Sequence, residues 1–83
     1  MIYSVTELNQ LAWAIDADGL LSHQAQAEAV ARQARAAGVA AAVADVLDDR
    51  RLPAPVRERA FGKVVNALAH AEATSSPDWA LAN

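Results

Sequence analysis

Alanine is the feature that most restricts how this chain can fold, because it occupies 22 of the 83 positions. Alanine has the highest helix propensity of any residue. No segment alternates apolar and polar residues over more than a few positions, as a half-buried strand would. Only 23 larger apolar residues remain for a core, which suits one small domain. The sequence therefore predicts an all-α fold, a small bundle of helices.

Turn-forming residues divide the chain into four helical segments followed by a short C-terminal helical turn. The predicted helices span about 5–16, 22–37, 39–49 and 55–73. Ser4 and Glu7 have the spacing of a capping box, which places the start of the first helix. We take residues 1–76 as the helical bundle domain and residues 77–83 as a C-terminal tail.

The stretch 22–49 has the composition of one long helix, but its apolar face changes sides at Gly38. The apolar residues before and after this glycine project roughly 170° apart on a helical wheel. A continuous helix would need partners on opposite sides of its two halves. A break at a glycine, which tolerates the left-handed conformation, lets both halves face one core. We therefore expect two helices that meet near Gly38.

Residues 33–39 resemble the turn of a bacterial helix-turn-helix motif. The small residue Ala34 precedes Gly38 by four positions, and the apolar Val39 follows it. The resemblance implies a helical hairpin whose second helix enters a DNA groove. That second segment instead begins with three alanines, 40–42, which offer no hydrogen bond to base edges, and it carries three aspartates. We expect a helical hairpin that binds duplex DNA no better than non-specifically.

Charge is distributed unevenly within a net charge of −3. Residues 1–49 hold two basic residues against seven acids, whereas residues 50–63 hold five basic residues against one acid. The five basic residues are Arg50, Arg51, Arg57, Arg59 and Lys63. One interpretation is that the first two neutralise neighbouring aspartates at the carbonyl end of the third helix. The other is that the basic segment binds a protein partner with an acidic surface.

The two tryptophans have no obvious place in the core. Trp13 projects about 150° from the buried stripe of its helix. Trp79 lies in the tail after Ser-Ser-Pro. Either both anchor an interface, since exposed tryptophans are enriched at binding hot spots, or the tail folds back and Trp79 covers Trp13 or a neighbouring groove. Because a chain this small has little core of its own, we expect it to self-associate as a homodimer.

Several classes of site are not expected. The sequence has no cysteine, which excludes disulfides, cysteine-ligated zinc and thiol catalysis. Neither histidine has a metal-binding partner at helical spacing. No nucleophile elbow or glycine-rich loop frames a serine. We therefore predict no catalytic, cofactor-binding or metal site. Without a signal peptide or an apolar run long enough to span a bilayer, we expect a cytoplasmic protein with no membrane partner.

These features favour a non-enzymatic protein–protein interaction or regulatory module that forms a homodimer. The candidate interaction residues are Trp13, Arg57, Arg59, Lys63 and Trp79. The alternative is a small nucleic-acid-binding regulator that uses the basic segment 50–63. A nucleic-acid partner is not expected, because whole domains that bind nucleic acid are mostly basic and this chain is acidic.

Overall fold

The computed structural model describes the backbone of residues 2–75 and the side chains of residues 2–71. Its elements are α1 (Val5–Asp18), a 3-10 turn (Leu20–His23), α2 (Gln24–Ala36), α3 (Ala41–Leu47) and α4 (Ala54–Ser75). The described part of the chain contains no strand. The predicted all-α bundle of four helices is confirmed. The expected C-terminal turn and the tail 77–83 lie outside the described residues.

The start of α1 is fixed by the capping box that the sequence predicts. The Glu7 backbone N–H donates to Ser4 Oγ at 3.2 Å, and the Ser4 N–H donates to Glu7 Oε1 at 2.9 Å. Two backbone N–H groups that have no acceptor within the helix thereby gain a hydrogen bond. The helix ends at Gly19, whose φ of 89° only glycine adopts without strain.

The break between α2 and α3 is a Schellman motif centred on Gly38. The Gly38 N–H donates to the Arg35 carbonyl at 3.1 Å, and the Val39 N–H donates to the Ala34 carbonyl at 2.9 Å. Gly38 has a φ of 69°, in the left-handed region that the motif requires. The prediction of two helices meeting near Gly38 is confirmed. In this structure, the residues that resemble a helix-turn-helix form the end of α2 and the turn that follows it.

Helix α4 is the centre of the packing, because it contacts α1, α2, α3 and the 3-10 turn. It contributes Ala60, Phe61, Val64, Val65 and Leu68 to one buried cluster. The other members of that cluster are Leu8, Ile15, Leu20, Ala27, Val30, Ala31, Ala34, Ala44 and Leu47. The arrangement leaves α1 on one flank of α4 and α3 on the other, with a groove along each flank.

Candidate functional site

Arg57 lies in the core, which corrects its assignment to an exposed basic segment. The residue is only 1% exposed. Its Nε donates to the Leu47 carbonyl oxygen at 2.9 Å, and its Nη2 has no hydrogen-bond partner among the described residues. Leu47 is the last residue of α3, so the guanidinium lies at the negative end of that helix dipole. Arg57 therefore has a structural place and is not available to a partner at the surface.

The spacing of α4 contains the signal for this burial. Arg57 precedes Phe61 by four residues and Val64 by seven, so it occupies the same stripe as the buried apolar residues. In the sequence, Arg57 had been grouped by charge with the other basic residues of segment 50–63. Helical position was the better guide in this case.

Arg50 and Arg51 are held by nearby carboxylates. Arg51 Nε donates to Asp49 Oδ1 at 3.0 Å, as one of the two interpretations of the basic segment expected. Arg50 Nε donates to Glu28 Oε2 at 2.7 Å and so ties the loop before α4 to α2. Both arginines have partners within the molecule.

Arg59 and Lys63 remain exposed on the same face of α4, one turn apart. Neither forms an ion pair with any residue that the structure describes. Both line a groove of about 410 Å³ between α3 and α4. Its other lining residues are Ala42, Val43, Val46, Val56 and Ala60, all apolar. This α3–α4 groove thus joins an apolar floor to a basic rim.

Asp45 of α3 and Asp48, which follows that helix, pair on the side of α3 away from this groove. Arg35 on α2 donates to Asp45 Oδ1 at 3.3 Å and to Asp48 Oδ2 at 2.9 Å. These two carboxylates are therefore compensated on the α2 side of α3. In the described part of the chain, Arg59 and Lys63 therefore have no carboxylate partner across the groove.

Trp13 is exposed on the opposite flank of α4, as its position off the α1 stripe predicts. Its exposed fraction is 80%. It borders a recess of about 280 Å³ between α1 and α4, which we call the tryptophan recess. The other residues of the recess are Ala12, Ile15, Asp16, Glu58, Phe61 and Gly62. Trp13 and the pair Arg59 and Lys63 therefore belong to two separate surfaces, and Trp79 lies outside the described residues.

Hydrogen bonds favour the charged forms of two carboxylates near the basic segment, Glu28 and Asp49. Hydrogen bonds from Gln24 and then Arg50 lower the pKa of Glu28, and hydrogen bonds from Arg51 lower that of Asp49. Across the described residues, no three His, Asp or Glu side chains are placed to hold a metal ion. None of the helices in that part of the chain is long and apolar enough to cross a membrane.

No family model, curated protein or solved structure matches this chain. Its surfaces are therefore the basis for assigning a function.

Proposed function

We propose that this chain is a small, non-enzymatic protein–protein interaction module that self-associates as a homodimer through the tryptophan recess. The observation that carries the proposal is the exposed indole of Trp13 in the middle of helix α1. Tryptophan is enriched among the residues that dominate binding energy at interfaces. A side chain of this size contributes little to stability while it faces water and much more when a partner covers it.

The form of the surface supports a two-fold interface. A homodimer with two-fold symmetry pairs the same patch on both subunits, so each patch must carry both a projection and a matching recess. Trp13 is the projection, and the tryptophan recess beside it is bordered by the small residues Ala12 and Gly62. In the proposed dimer the indole of each subunit enters the recess of the other.

The thin core supports the same proposal. The buried cluster includes five alanines, each of which removes little apolar area from water. A chain without cysteine has few other ways to add stability, and burial between subunits is one of them.

Light scattering on exposed-residue variants tests the proposal. At about 100 µM the intact chain should have twice its 8.7 kDa mass, and Trp13→Gln should shift it toward monomer. Leu21→Gln is the matched control, because Leu21 is 69% exposed but lies in the 3-10 turn outside the recess. Asp16 and Glu58 border the recess, so added salt should strengthen association by screening their repulsion. A monomeric intact chain, or an equal effect of both substitutions, would contradict the proposal.

A nucleic-acid-binding regulator is the second candidate, favoured by Arg59 and Lys63, two exposed cations without an ion pair among the described residues. Two phosphate contacts would give weak binding with a shallow dependence on salt. We expect a Kd for duplex DNA weaker than about 10⁻⁶ M at physiological salt. A sequence-specific footprint at nanomolar protein would establish this candidate instead.

A further inference from the structure

The α3–α4 groove is a second binding surface, independent of the tryptophan recess. It is formed by the seven-residue helix α3 and the first three turns of α4. Val43 and Val46 pack against the core while they also line the groove, and Val56 at its edge is 41% exposed. The groove thus offers apolar contact on two walls at a place where no described element covers it.

The charge around this groove defines the kind of partner it suits. Arg59 and Lys63 form the rim, and neither has an ion-pair partner among the described residues. Asp45 of α3 and the following Asp48 pair with Arg35 on the far side of that helix. A partner that places carboxylates at the rim would gain charge complementarity, whereas a basic partner would meet repulsion.

The backbone of the groove defines the form of the partner. Both walls are helices, which present no strand edge, so an extended peptide would find no row of alternating N–H and C=O groups to pair with. A helix satisfies its own backbone groups and needs only side-chain contacts. Val56 and Lys63 are seven residues apart on α4, which corresponds to about 10 Å, or two helical turns.

We propose that the α3–α4 groove binds about two turns of an acidic amphipathic helix from a partner protein. Apolar residues of that helix at i, i+3 or i+4, and i+7 contact the floor formed by Val43, Val46 and Ala60. Its flanking glutamates or aspartates pair with Arg59 and Lys63. This site is separate from the proposed dimer surface and does not depend on it.

The test uses a displayed library of helical peptides with fixed leucines at i, i+3 and i+7. The flanking positions vary among Glu, Lys, Gln and Ser, and the library is selected on the intact protein. The proposal expects enrichment of glutamate beside the leucines. Selected peptides should bind the double variant Arg59→Glu, Lys63→Glu about tenfold or more weakly, and this variant should prefer lysine-flanked peptides.

Arg32→Glu is the matched control, because Arg32 is an exposed cation on α2 with no ion pair among the described residues. It should change peptide affinity less than about twofold, and Trp13→Gln should preserve peptide binding even if it abolishes dimers. No glutamate enrichment, or an equal loss in the Arg32 variant, overturns the proposal. If the double variant instead dissociates a dimer, or loses binding to RNA, the occupant is a second copy or a nucleic acid and the proposal fails.

Discussion

Arg57 and Leu47 are joined by a buried hydrogen bond of 2.9 Å, from the guanidinium Nε at the start of α4 to the carbonyl oxygen at the end of α3. A carbonyl at a helix C-terminus lacks an intrahelical donor, and the helix dipole favours a cation there. One side chain thus fixes the position of α3 against α4. Since these helices form the α3–α4 groove, Arg57 supports that surface from within the core.

Charge reversal should therefore change the free energy of unfolding strongly at one position of α4 and hardly at all two residues further on. Arg57→Glu places a carboxylate against the Leu47 carbonyl in the core, so we expect a loss of at least about 3 kcal/mol in the free energy of unfolding. Arg59→Glu lies at the surface and should change it by less than about 0.5 kcal/mol. Urea denaturation measures both. Equal stability of the two variants would show that Arg57 is not buried.

Two glycine substitutions should shift stability in opposite directions. Gly38→Ala adds a Cβ that meets no atom within 4 Å, but its φ of 69° is unfavourable for alanine by about 1 kcal/mol. Gly62→Ala also meets no atom within 4 Å and lies inside α4, so it should gain about 0.5–1 kcal/mol of helix propensity. Thermal unfolding of both variants is compared at about 1 µM, where we expect the chain to be monomeric, because Gly62 borders the tryptophan recess and a side chain there would also affect the proposed dimer. A loss at Gly62 as large as that at Gly38 would refute this explanation of the turn.

Ala40 carries backbone strain at the start of α3. Its φ of 50° and ψ of 42° are left-handed, a conformation that costs an L-residue roughly 1–2 kcal/mol. Ala40→Gly should relieve this strain. Glycine loses more entropy on folding, which offsets part of the gain, so the free energy of unfolding should rise by only about 0.5–1 kcal/mol. Urea midpoints measure the change. An unchanged or lower midpoint would count against the left-handed conformation.

Acid should destabilise the fold through its paired carboxylates. The pKa of Glu28 is lowered in the folded state by the hydrogen bonds from Gln24 and Arg50. Because the folded pKa lies below the unfolded one, this contribution is present at neutral pH and is lost over the interval in which the pH falls from the ordinary glutamate pKa of 4.5 to the lowered folded pKa. Glu28→Gln should therefore reduce the drop in Tm over that interval. A variant whose Tm falls as steeply as that of the intact chain would exclude this coupling.

The sequence predicted local features best. The capping box at Ser4 and the break at Gly38 depend on neighbouring residues and on the direction of an apolar face, which a helical wheel shows directly. The start of α3 was predicted at residue 39 but lies at Ala41. Val39 completes the Schellman motif, and Ala40 adopts the left-handed conformation before the helix begins.

The candidate surfaces were only partly predictable. The exposure of Trp13 follows from its position on one helix, so the sequence indicates it. The α3–α4 groove depends on how two helices meet, and neither helix alone contains that information. Arg57 was wrongly grouped by charge with Arg59 and Lys63, because its helical position places it in the core while those two line the groove.

Self-association through Trp13 can be measured by sedimentation and, on the same samples, by the fluorescence of that indole. The chain has two tryptophans, so Trp79→Phe leaves Trp13 as the only indole emitter. Sedimentation equilibrium and fluorescence are measured on the same samples of this variant from about 1 to 100 µM. If the dimer buries Trp13, the mass rises from 8.7 kDa to twice that value and Trp13 emission shifts to the blue over the same concentrations. A monomer throughout, or a dimer whose Trp13 emission does not change, would contradict it.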